Sequence, residues 1–180
     1  MNYHNITHAD MLNGDGLRVV LWVAGCEHHC QGCQNPETWD QEDGLPYNRE
    51  AWMEIEEELR KDYISGITFS GGDPLHPANR GQVITIAAHI KKNFPGKTVW
   101  VYTGYRFEDV KDIPGIEYID VLVDGRFIQS MADVSYPWAG STNQRVIDIP
   151  DSLATGSVVL HKTYDTRLAG NIKVETACEG

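Results

Sequence analysis

The sequence predicts an α/β fold with a largely parallel sheet. Short β-branched apolar runs alternate along the chain with stretches of helical periodicity. Glycine and proline close each run. A repeated strand–helix–strand order then demands right-handed crossovers, which place successive strands side by side and parallel.

Residues 17–24, LRVVLWVA, form a buried strand ended by Gly25. Pro36 and the Gly44-Leu45-Pro46 turn keep residues 34–48 irregular. Asn48 caps a helix over residues 49–62, with Trp52, Ile55 and Leu59 on one face, acids early and Arg60-Lys61 late. A second strand over 64–69 runs into Ser70-Gly71-Gly72-Asp73-Pro74. A helix over 79–93 turns Val83, Ile86, Ala87 and Ile90 inward and stops at Phe94-Pro95-Gly96. A third strand covers 97–102, a short helix 106–111 and a fourth strand 118–123. Residues 144–149 and 157–161 read as edge strands.

The chain has 180 residues, enough for one domain with a sizeable core, and its net charge of −11 argues against nucleic acid and anionic membranes as partners. The acidic run Glu54–Glu58 reads as a solvated helix face. No apolar run reaches the roughly 18 residues of a membrane span, and residues 1–5 carry no secretory pattern, so the expected location is the cytoplasm.

Four cysteines occur, three of them within eight residues: Cys26, Cys30 and Cys33. Such crowding favours metal binding over a disulfide framework. Cys178 stands apart and reads as a free thiol. Soft thiolates select zinc, copper(I) or iron–sulfur. A [4Fe–4S] cube normally takes four thiolates, so three close together leave one iron corner for a small molecule. The competing reading is a Cys₃His zinc site completed by His28 or His29. The cysteine loop, the Gly-Gly loop, Thr103-Gly104 and Asp124-Gly125 each follow a strand directly. In a parallel sheet those strand ends share one edge, where ligands bind.

Cys-x-x-x-Cys-x-x-Cys after a first strand and Gly71-Gly72-Asp73-Pro74 after a second resemble the radical S-adenosylmethionine superfamily. Within it the chain is similar to the family that activates anaerobic ribonucleoside-triphosphate reductase, through Met1-Asn2-Tyr3-His4, Asn13-Gly14-Asp15-Gly16, Asn35-Pro36, and residues 70–77. The likeness continues through Thr103-Gly104-Tyr105, residues 120–127 and residues 140–145. It covers about residues 1–148, as one activase domain, and leaves 149–180 as an extension without an assigned role. Many superfamily members carry an aromatic residue before the third cysteine; Gly32 matches the reductase-activating group instead.

The resemblance implies an incomplete (β/α) barrel with a [4Fe–4S] cluster on Cys26, Cys30 and Cys33 at its open end. It implies S-adenosylmethionine on the open iron, cleaved by one electron to methionine and a 5′-deoxyadenosyl radical that takes hydrogen from a glycine of the reductase. A flavodoxin-like protein is the implied electron donor. The cofactor would face the backbone of Gly32, Cys33 and Gln34 and the Gly71-Gly72-Asp73 loop, with Asp73 or carbonyls accepting from its ammonium group. Thr103, Asp124 and Arg126 are further candidates, the last two for its carboxylate or ribose end. No general acid, base or protein nucleophile is expected. The rival readings are an activase of another glycyl-radical enzyme, such as pyruvate formate-lyase, and a non-catalytic zinc-binding module.

Overall fold

The computed structural model describes residues 1–162. Its strands are β1 (Asn2–Asp10), β2 (Leu17–Val23), β3 (Leu45–Pro46), β4 (Ile64–Gly71), β5 (Thr98–Tyr102), β6 (Val121–Asp124) and β7 (Arg145–Asp148). The helices are α1 (Arg49–Leu59), α2 (Arg80–Asn93), α3 (Phe107–Val110) and α4 (Ile149–Thr155). One mixed sheet runs in the order β3-β1-β2-β4-β5-β6-β7. Its centre, β2-β4-β5-β6, is parallel, and β1, β3 and β7 pair antiparallel at the two sides. The alternation of strand and helix thus produces the parallel sheet it predicts.

Period-2 alternation gives the sheet two faces. Val19, Leu21, Val23, Ile67, Phe69, Val99, Val101 and Leu122 pack with Ile55, Leu59, Val83, Ile86, Ala87 and Ile90 of the helices in one core. Asn48 caps α1 as its sequence position suggests, accepting a 3.0 Å hydrogen bond from the Ala51 N–H. The opposite face carries Trp100, Val121, Val123 and Val146, with Tyr102, Tyr136 and Trp138 packed against them.

Four boundaries differ from the sequence reading. Strand β1 is unanticipated, because NYHNITHAD is polar and only partly buried, so its alternation is weak. Helix α1 stops at Leu59, where Lys61 N–H turns back to Glu58 C=O. The fourth strand begins at Val121 because Ile116–Tyr118 coil into a 3-10 turn. Residues 157–161 form no strand and contribute one bridge, Leu160 to Ile147. Residues 149–162 nonetheless pack on the domain: Ile149 is fully buried, and His161 N–H bonds Val146 C=O at 2.9 Å. Residues 163–180, with Cys178, lie outside the described residues.

A buried cation braces the start of the parallel strands. Arg18 has no exposed surface, and burial lowers its pKa to about 10. Its guanidinium donates to Thr68 Oγ1, Ile67 C=O, Thr98 Oγ1, Thr98 C=O and Asp15 C=O, at 2.6–3.0 Å. It lies 5.3 Å from the Trp100 ring centre. One side chain therefore stitches β2 to β4 and β5 without a carboxylate among those hydrogen-bond acceptors. Arg18→Ala should lower the unfolding free energy by at least about 3 kcal/mol, because it orphans several buried acceptors and empties a large volume; a denaturant titration measures it.

At the other side of the sheet, Arg145 of β7 bridges Asp124 of β6 and Glu108 of α3. This neighbour holds the Glu108 carboxyl at about 2, against an ordinary 4.5. A depressed folded-state pKa adds stability that is complete above about 4.5 and lost as pH falls toward 2. The Glu108 side chain is 55% exposed, so the contribution should stay under about 1 kcal/mol. Glu108→Gln is expected to flatten the pH dependence of the unfolding midpoint in that window, lowering the midpoint slightly at neutral pH and leaving it unchanged near pH 2.

Candidate functional site

The C-terminal ends of β2, β4, β5 and β6 release four loops on one edge of the sheet. They meet around a cavity of about 210 Å³. Cys26, Cys30, Cys33, Gln34, Gly71, Gly72, Asp73 and Thr103 all line it, so it gathers eight of the residues singled out in the sequence. Gly32, Asp124 and Arg126 are not among its lining residues.

The loops are bound together through one carboxylate. Asp73 is 1% exposed and accepts from Thr103 Oγ1 at 2.9 Å, Gly104 N–H at 2.9 Å, Leu75 N–H at 2.8 Å and His28 Nε2–H at 2.7 Å. His28 lies between two of the cysteines, so this bond pins the cysteine loop to the Gly-Gly loop and to the end of β5. The His28 ring also stacks edge-on to Tyr105, 4.6 Å between centres. A side chain at Gly104 would put its Cβ 2.3 Å from that ring, so the close approach requires glycine. Asp73 N–H and Gly72 N–H return to Gly25 C=O and Val23 C=O, both at 2.8 Å. A Cβ on Gly72 would meet Gly25 C=O at 2.6 Å.

Asn79, just before α2, adds a second tie. Its buried amide donates to Ala24 C=O at 2.8 Å and Asp73 C=O at 3.0 Å, instead of capping its own helix. Arg126 donates to His28 C=O, holding the cysteine loop from the β6 side. The Asp124 carboxylate is turned away, accepting from Arg145 and from Phe107 N–H at 2.8 Å. Gly32 packs against Gln129, which would lie 2.7 Å from a Cβ there. An aromatic side chain at this position would collide with the segment that follows β6.

The three thiols are free of disulfides and partly buried. Burial pushes the Cys26 thiol up to about 11, partly offset by the N–H groups of His28 and His29 aimed at its sulfur. Asn35 N–H lies 3.4 Å from Cys33 Sγ. Such amide donors stabilise thiolates bound to iron–sulfur clusters. Both histidines are committed elsewhere: His28 to Asp73, and His29 to Glu27 C=O at 3.1 Å and the Trp39 ring at 4.8 Å. All three thiols line the one cavity beside glycine backbone, a donor chemistry that suits an iron–sulfur cluster. The sequence reading missed Asn79 and left His28 without a named partner. Their ring and amide partners sit 45 and 55 residues away, and no local motif announces them.

Residues 12–147 match a family model described as a 4Fe-4S single cluster domain. The chain is 42% identical over 146 residues to the anaerobic ribonucleoside-triphosphate reductase-activating protein of Enterobacteria phage T4, covering 81% of this chain and 93% of that relative. It is 43% identical over 148 residues to the protein of that name from Vibrio cholerae, covering 80% and 96%. With the one from Escherichia coli K12 the identity is 41% over 150 residues, covering 81% and 97%.

His28→Ala breaks only the clamp, not the cysteine set. It should reduce the iron retained after anaerobic reconstitution by about half or more, with a larger loss for Asp73→Ala, which orphans four donors at once. Iron and sulfide assays on protein of matched thermal midpoint check both.

Proposed function

We propose that this chain, which belongs to the family of anaerobic ribonucleoside-triphosphate reductase-activating proteins, generates a glycyl radical on an anaerobic ribonucleoside-triphosphate reductase. The observation that carries this reading is the convergence of Cys26, Cys30, Cys33 and the Gly71-Gly72 backbone on one cavity. Cys26, Cys30 and Cys33 hold the [4Fe–4S] cluster. When bound, the cluster and S-adenosylmethionine supply a one-electron cleavage of the sulfonium to methionine and a 5′-deoxyadenosyl radical, which abstracts hydrogen from glycine Cα.

The chain's residues position and protect. Gly71 and Gly72 carry no side chains, so a ligand's amino-acid end can approach their carbonyls. The backbone of Gly32, Cys33 and Gln34 and the Thr103 end of β5 frame the same ligand. Asp73 already accepts four protein hydrogen bonds, so its main task is to hold the loops in register. Asp124 and Arg126 serve the frame in the same way, through Arg145 and the His28 carbonyl. Gly71 and Gly72 are half-buried, so their stretch of the cavity wall presents no side chain to compete for a radical.

We read the parallel strands β2-β4-β5-β6 as part of the incomplete (β/α) barrel of the radical S-adenosylmethionine type, open at its antiparallel sides. Residues 1–148 form the activase domain in this reading. A flavodoxin-like protein delivers the electron. A cytoplasmic location suits three free thiols, and no helix among the described residues is long and apolar enough to cross a membrane.

The test is anaerobic incubation of reconstituted protein with reductase, S-adenosylmethionine and a reductant. A glycyl-radical EPR doublet on the reductase is expected, with 5′-deoxyadenosine as co-product. Cys30→Ala should lose both by more than about 100-fold, since the cluster lacks a ligand. A radical formed only on a pyruvate formate-lyase-type partner would overturn the assignment.

A further inference from the structure

We propose that Tyr102 is a positioning residue for the protein segment that receives the radical, holding its peptide backbone where an open groove meets the cysteine cavity. The proposal rests on the function proposed above.

Trp100 and Tyr102 sit two apart on β5 and so share a face. Trp100 is fully packed, its ring 6.0 Å from Trp138, 5.2 Å from His161 and 5.3 Å from the Arg18 guanidinium. One step nearer the loops, Tyr102 meets open space. It lines the 210 Å³ cavity of the cysteines and also a neighbouring groove of about 780 Å³. Asn13, Trp22, Gln34, Tyr102 and Gly140 are common to both, so the groove runs directly into the cavity.

The groove's lining mixes aromatic and apolar side chains, Tyr136 and Trp138 among them on the segment after β6, with the uncharged polar Asn13, Gln34 and Ser135, one carboxylate, Asp133, and no lysine or arginine. Its rim carries Leu12 at 79% exposure and the fully exposed Val134. An anionic end of a small ligand finds no charged partner in such a wall. An uncharged, extended protein segment fits it, with apolar contact at the rim and backbone polar groups left to satisfy inside.

Tyr102 supplies that partner. Its phenol makes no hydrogen bond among the described residues, whereas the nearby Trp22 indole N–H is satisfied by Thr7 Oγ1 at 2.8 Å and the Tyr105 hydroxyl by Glu27. Burial raises the phenol's pKa, so at neutral pH it stays a donor. A peptide carbonyl passing from groove to cavity meets an O–H that lacks a competing bond. Holding the backbone there fixes how deep the target glycine reaches, and radical transfer between carbons is steeply sensitive to that depth.

The experiment compares wild type with Tyr102→Phe, which removes the hydroxyl and keeps the ring, and with Val134→Asp on the rim, at matched iron content and thermal midpoint. One hydrogen bond of about 1–1.4 kcal/mol corresponds to a five- to tenfold effect. Tyr102→Phe is expected to raise the KM for reductase by that factor and lower the glycyl radical formed per 5′-deoxyadenosine. The change that S-adenosylmethionine makes in the cluster EPR spectrum, and its KM, should not move. Val134→Asp should raise the reductase KM without lowering the yield per cleavage. An unchanged reductase KM in both variants, or a raised KM for S-adenosylmethionine in Tyr102→Phe, overturns the placement. A wild type that puts no radical on the reductase fails at the earlier step and refutes the proposed function itself.

Discussion

Four strand ends can form one site only if the loops they release are held at fixed distances, and here a single buried carboxylate does most of that work. Asp73 receives donors from its own turn, from the end of β5 and from the cysteine loop, all within 3.0 Å. A carboxylate this deeply buried must have its lone pairs filled, and hydroxyl, amide and imidazole donors fill them. The energetic need of the buried group and the geometric need of the site coincide. A different residue at position 104 would break the arrangement through sterics alone, because His28 occupies the space a Cβ requires.

The scaffold repeats that logic at both ends of the sheet. Arg18 closes the N-terminal side of the central strands with neutral acceptors, and Arg145 ties β6, β7 and α3 through two carboxylates. Each is a long side chain reaching across elements that the hydrophobic core already brings close. At the cavity edge the ties are Asp73, Asn79 and the bond from Arg126 to His28 C=O, and together with the backbone turns they set its shape. A rigid frame around a site lined with glycine suits chemistry in which protein groups position the reactants and take no covalent part.

Much of this was legible beforehand, and for identifiable reasons. The strands β2, β4 and β5 and the helices α1 and α2 announce themselves because burial on one or both faces forces an apolar pattern. That Cys26, Cys30 and Cys33 share one cavity is legible because they crowd within eight residues of a loop that directly follows a strand. Strand β1 was not, since pairing at a partly exposed edge leaves its side chains polar, and the fourth strand was read from Tyr118, where a 3-10 turn over Ile116–Tyr118 delays it to Val121. Asp124 looked like a ligand contact from its place after β6, and its partner Arg145 lies 21 residues on.

The sequence by itself determined the parallel α/β order, the crowding of three cysteines and the family, because periodicity, composition and motif spacing are local properties of the chain. Only the tertiary structure decided which partners Asp73, Asp124 and His28 take. The role of a polar side chain depends on which donors and acceptors reach it across the fold, and distance along the chain carries no record of that.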